Sequence, residues 1–219
     1  TGDDIRALAR KYQPLLLDAI KGLVSAEVKD IQGAMRQLNI KSTGLSFWLD
    51  EYYDGFEQRF QRSTIPQAMR SFADAVIDKT GLIYDLTPEQ KAELQLFTND
   101  YMAGYSERHS QSSRMQLRSL ILQEETDNIA EIVLKRLEEW QESRALKEST
   151  NEATRLANAL ARETWIQGGV TLFQWRTVGP SCPFCNKLDG KIVGSEQPFL
   201  QLGEVLYAED GNGNVSSLK

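Results

Sequence analysis

The sequence predicts an α+β protein that is mainly α. A long-helix region is expected over residues 1–148, followed over 149–219 by a small domain with a helix packed on a short β-hairpin or sheet. Three observations carry this. Apolar residues recur at steps of three and four through most of the chain. Helix-start signatures stand at Thr87 and Ser149. After Gly168-Gly169 the periodicity yields to β-branched and aromatic residues separated by turn signals.

Ile5, Leu8, Ala9, Leu15, Leu16, Ile20, Leu23, Val24, Val28, Ile31, Met35 and Leu38 trace the first helix. Pro14 is expected to kink or restart it, because proline removes a backbone donor. A turn is expected over Ile40 to Gly44, then an aromatic segment with Phe47, Trp48, Tyr52, Phe56 and Phe60, read as core or as a partner interface. Thr64 and Pro66 restart a helix that stops near Gly81. In Thr87-Pro88-Glu89-Gln90, Thr87 can cap, Pro88 suits the first turn and Gln90 can close a capping box. The helix it opens carries Leu94, Phe97, Tyr101 and Tyr105, with a break expected at Ser110 to Ser113. Ile129, Ile132, Val133, Leu137 and Trp140 form a further stripe, and Ser149-Thr150-Asn151-Glu152 reads as a second capping box. Val170 to Val178 reads as a strand ended by Gly179-Pro180. Asp189-Gly190 reads as a two-residue hairpin turn, with Lys191-Ile192-Val193 returning. An apolar stretch from Phe199 to Tyr207 and the loop Asp210 to Asn214 follow.

Composition narrows the function classes. A hydrophobic content of 41% suffices for a core, and no apolar run reaches the roughly 18 residues of a bilayer span. A net charge of −6 argues against a protein that coats nucleic acid over its whole surface, though not against a local, salt-sensitive contact. The chain begins at Thr1, with no secretory signal and no initiator Met, as expected of a processed chain or a fragment. There is no Gly-x-Gly-x-x-Gly or Walker-type loop. His109, the single histidine, lies in a polar context and reads as a solvated helix residue, so no Ser/His/Asp arrangement suggests itself.

Two cysteines point to a reducing compartment rather than a disulfide scaffold. Cys182-Pro183-Phe184-Cys185 is open to three readings. One is a thiol redox site like that of glutaredoxins, although in that fold the motif comes early and most of the sheet follows it. The second is half of a zinc knuckle, two thiolates of the four ligands a structural site needs. The third is a pair of small residues in a tight turn. Asp189 is better explained by turn geometry than by catalysis. Arg155 and Asn158 lie three residues apart and share a helix face, which the residues alone read as solvated.

The order of features from Glu152 onward is distinctive. Glu152-x-x-Arg155-x-x-Asn158-Ala159 lies on a helix, Gly168-Gly169-Val170 turns, and Phe173-x-Trp175-Arg176-Thr177-Val178-Gly179 follows. Then come Cys182-x-x-Cys185-x-x-Leu188-Asp189-Gly190-x-x-Val193 and Pro198-Phe199. This resembles the phage Mu F-like head morphogenesis proteins, also called minor head or minor capsid proteins, over about a third of the chain. The resemblance implies a non-enzymatic virion protein of a phage or prophage, assembled in the host cytoplasm and placed in the head near the portal vertex. Its implied partners are the portal protein, capsid proteins and further copies of itself, with local contact to genomic DNA. Its implied work is head assembly, genome packaging or DNA delivery; the alternative is a helical delivery module of an effector. The family's later His-Pro-x-Cys-x-Cys-like segment is absent before Lys219. Cys182 and Cys185 are therefore expected to hold zinc only with ligands from outside this sequence.

Overall fold

The fold is α+β and mainly α. It is described from a computed structural model, for residues 2–37, 42–123, 128–177, 181–209 and 213–218. Leu38, Val178, Gly179-Pro180 and the loop residues Asp210 to Asn212, on which expectations were placed, lie outside them, as do Ile40 and Lys41. The chain divides into two compact units, Thr1–Thr164 and Trp165–Lys219. The sequence had suggested a division after residue 148.

The first unit is a helical assembly. Its α1 runs from Gly2 to Gln37, α2 from Ser42 to Asp54, α3 from Phe56 to Arg62, α4 from Ile65 to Gly81 and α5 from Pro88 to Gln123. A further helix, α6 (Ile129–Glu139), passes through a π-helical turn (Trp140–Arg144) into α7 (Ala145–Gln167). Pro14 sits inside α1 without ending it. Burial of Leu16, Ile20, Val24, Val28 and Ile31 on one side keeps the helix whole despite the missing donor. The aromatic segment is core in part: Tyr52, Phe56 and Phe60 are buried, while Phe47 is exposed. Tyr12 stacks on Phe72 at 5.1 Å between ring centres, joining α1 to α4.

The capping box at Thr87 forms in both directions. The Thr87 backbone N–H donates to Gln90 Oε1 (2.9 Å) and the Gln90 N–H donates to Thr87 Oγ1 (3.3 Å). Two sequence expectations fail nearby. α5 does not break at Ser110 to Ser113, because Ser110 Oγ donates to the Glu107 carbonyl and Ser113 is buried in the stripe that continues to Leu117 and Ile121. Ser149 does not cap a helix: it lies inside α7, fully buried, donating to the Leu146 carbonyl and accepting from Gln13 Nε2.

The second unit holds two small antiparallel pairs. Strand β1 (Leu172–Gln174) pairs with β2 (Ile192–Gly194) in the register Leu172–Gly194, Phe173–Val193 and Gln174–Ile192. Strand β3 (Leu206–Glu209) pairs with β4 (Val215–Leu218). Between β1 and β2 lies a short helix, α8 (Pro183–Leu188), where the sequence suggested only a tight turn. Asp189-Gly190 is thus the exit of α8 and not a two-residue hairpin. With Asp189 at φ −58°, ψ 131°, Gly190 at φ +80° and the Lys191 N–H donating to the Leu188 carbonyl (2.9 Å), it is a type II turn. Leu188, Val193, Leu206 and Ala208 are its buried apolar side chains among the described residues.

Replacing Thr87 by Ala removes one arm of the capping box and is expected to cost about 1 kcal/mol. Urea denaturation should show the lowered midpoint, with Thr87→Ser close to the parent protein.

Candidate functional site

The residues singled out by the Cys182 motif close on one another within the second unit. Cys182 precedes α8 in extended conformation, and Pro183 occupies the first helical position, where its missing N–H costs nothing. The Cys182 and Cys185 sulfurs lie 3.2 Å apart, and the Cys185 backbone N–H donates to Cys182 Sγ (3.4 Å). That N–H, followed by the Cys185 thiol, holds Cys182 below the usual thiol range, while the Cys182 sulfur pushes Cys185 up. Leu188 anchors the far end of α8 in the core. Asp189 Oδ1 accepts from the Thr177 N–H (2.8 Å), which lowers its carboxyl and gives the side chain a structural task. The Gly190 N–H donates to the Trp175 carbonyl and the Trp175 N–H to the Lys191 carbonyl, both at 2.9 Å. The Trp175 ring meets Phe199 edge to face at 5.2 Å. Lys187 and Lys191 donate to the carbonyls of Tyr207 (2.7 Å) and Phe199 (2.6 Å).

As a zinc site the pair is half complete. Tetrahedral coordination with Zn–S near 2.3 Å sets sulfurs about 3.8 Å apart, a small opening from what is found. Among the described residues no group of three or more His, Cys, Asp or Glu side chains comes together as metal ligands. The two thiols could therefore supply two ligands and no more from these residues.

The helix motif lies on α7, in the first unit. Glu152 is buried and accepts from Tyr101 (2.7 Å), Arg108 (3.3 Å) and Arg155 (3.1 Å). Arg155, itself exposed, thus has Glu152 as a partner. Asn158 lines a different feature, an apolar groove of about 480 Å³ with Ile5, Ala9, Arg10, Ala153 and Ala157. Leu156 and Leu160 lie on the same helix. Both are fully buried in the first unit, whereas Trp165 packs on Phe173 (6.1 Å) in the second.

The largest surprise is His109. It is buried, not solvated, and lies at the centre of a charged cluster. Its Nε2 is 3.1 Å from Glu27 Oε2 and its Nδ1 is 2.9 Å from Glu148 Oε2. Both ring nitrogens therefore donate, which requires the imidazolium form. Tyr53 donates to the other Glu27 oxygen (2.6 Å), and Tyr105 donates to Glu148 (3.1 Å). Arg144 bonds Glu148 through Nε, approaches Glu27 to 3.8 Å and lies 4.3 Å over the Trp140 ring. Phe56 stacks on the imidazole at 5.2 Å. Two anions and two cations balance, so the cluster can be buried without net charge. Neither nitrogen of His109 is free to ligate a metal.

Burial alone would raise the Glu27 carboxyl, but His109, Arg144 and Tyr53 outweigh it and hold it below the usual range. The same contest, with His109 and Arg144 as the cations, brings Glu148 down to about 2. Burial would lower His109, yet Glu27 and Glu148 together raise it. A sequence signal did exist. Glu27 falls within the stripe Ile20, Leu23, Val24, Val28, Ile31, and His109 continues Leu94, Met102, Tyr105 by a helical step. A charge on an apolar stripe requires a partner across the core.

The cluster's contribution to stability has opposite limits. Glu148, lowered in the fold, contributes fully above about pH 4.5 and loses its share as pH falls toward 2. His109, raised in the fold, contributes fully below about pH 6.5 and loses its share as pH climbs through its raised value. Denaturation midpoints should therefore be highest between these limits, and His109→Gln should remove the alkaline decline. Glu27→Ala leaves the imidazolium facing no anion on that side and is expected to cost about 3–5 kcal/mol. Gly190→Ala meets open space but a left-handed backbone, so its cost is conformational, about 1–2 kcal/mol. Faster amide hydrogen exchange at Trp175 and Gly190 would report that loss.

Compared with known protein families, curated proteins and solved structures, the chain matches none.

Proposed function

We propose that the chain is a non-enzymatic minor head protein of the Mu F-like type, acting in head assembly, genome packaging or DNA delivery near the portal vertex. The observation that carries this reading is the closure of the motif on itself. Trp175, Thr177, Leu188, Asp189, Gly190 and Phe199, distinctive as an ordered series, hold one another by backbone pairing, a side-chain lash and an aromatic contact. A series of residues kept for mutual support suits a structural module. The helical unit supports the same reading, because the charged residues at its centre, Glu27, His109, Arg144 and Glu148, are paired with one another. The partners under this reading are the portal and capsid proteins, other copies of the chain and a local stretch of genomic DNA. Zinc would be shared between Cys182, Cys185 and ligands from outside these residues. No helix among the described residues is long and apolar enough to cross a membrane.

The test is co-expression with the portal and major capsid proteins of the same genome, followed by gradient sedimentation of assembled heads. The chain is expected to travel with the heads in few copies and to bind isolated portal. Heads that assemble and fill normally while the chain stays at the top of the gradient would overturn the proposal.

A further inference from the structure

We propose that Cys182 and Cys185 form a reversible dithiol–disulfide pair, oxidised by small-molecule disulfides such as oxidised glutathione. The sulfurs already lie 3.2 Å apart, and both belong to one turn of backbone. Closing to the roughly 2.05 Å of a disulfide takes side-chain rotation rather than movement of the chain. The surroundings hold the turn in place. The Ser181 hydroxyl donates to Asn186 Oδ1, the Asn186 amide returns to the Ser181 carbonyl, and Leu188 is buried at the end of the same helix. Access differs between the two thiols. Cys182 is exposed and Cys185 is half-buried beside it, an arrangement that suits an attacking and a resolving thiol.

The exchange balances without a further reactant. The Cys182 sulfur attacks one sulfur of oxidised glutathione, whose S–S bond breaks and releases one glutathione thiol. The Cys185 sulfur then attacks the Cys182 sulfur of the mixed disulfide and releases the second. The dithiol loses two electrons, the glutathione disulfide gains them, and the two cysteine protons end on the two glutathione thiols. The oxidised pair has no thiolate for zinc, so the disulfide and metal-bound states exclude each other. This chemistry stands apart from the head-protein reading, and its test uses no head component.

The full chain, freed of metal by chelation, is equilibrated across a series of reduced to oxidised glutathione ratios. It is then quenched with an alkylating agent and weighed by mass spectrometry. The expected result is one transition from doubly alkylated chain to chain with neither cysteine alkylated nor glutathionylated, reversed by dithiothreitol. Cys185→Ser should trap glutathione on Cys182, and Cys182→Ser should react more slowly at Cys185. Circular dichroism of each variant checks that the fold persists. Wild-type chain that accumulates glutathione on both cysteines, or remains doubly alkylated under excess oxidised glutathione, would overturn the proposal.

Discussion

A carboxylate sealed among helices is costly unless a cation meets it, and Glu27 is met by His109. The surrounding structure follows from that requirement. His109 presents two donors, so it needs a second acceptor, which Glu148 supplies from α7. Two acids against one imidazolium would leave a net charge, and Arg144 removes it. Tyr53 and Tyr105 each donate to one of the two carboxylates, and Phe56 covers the ring face. α1, α2, α3, α5, α7 and the π-helical turn are thereby tied to one point. Apolar packing alone would let these helices slide by a fraction of a turn at small cost. A buried polar centre bonded from several helices does not, because a slip separates His109 and Arg144 from the carboxylates that meet them.

Much of the fold was legible from hydrophobic spacing and turn chemistry. The capping box at Thr87 and the helix from Ile65 to Gly81 follow directly from the residues present. The mistaken helix start at Ser149 has an instructive cause. Ser149-Thr150-Asn151-Glu152 carries the residue types of a capping box, and just upstream the buried apolar stripe slips in phase from Trp140 to Ala145. The backbone absorbs the slip within Trp140–Arg144 by a π-helical turn, which accommodates an extra residue and keeps the helix continuous. Ser110 to Ser113 misled for a different reason: serine disfavours helix interiors on propensity, but burial overrides propensity. His109 was misread because its sequence neighbours are polar, and sequence neighbours on a helix point elsewhere.

Of the residues read as one series, Glu152, Arg155 and Asn158 lie on α7 in the first unit and the rest lie in the second. Cys182, Cys185, Trp175, Leu188, Asp189 and Gly190 do assemble, and the left-handed backbone expected at the glycine is present. The helix α8 was missed because six residues carry too little periodicity to announce themselves, and Asp189-Gly190 serves a type II turn as readily as a hairpin. The consequence is mechanical. A hairpin would leave the cysteines on a free loop, whereas here α8 is held at its end by Leu188 and along its side by Lys187.

The charged centre also constrains how the protein can be made. Glu27 leads the chain, while His109 follows 82 positions later and Arg144 later still. During synthesis from the first residue, α1 emerges with a carboxylate on the face it must bury and no cation yet available to it. Burying Glu27 stays costly until α5 brings its cation, and the balance of charge waits for the π-helical turn. The polar centre is therefore complete only once Arg144 has emerged. A chain halted before His109 would carry an apolar helix face it could not bury without stranding the charge of Glu27.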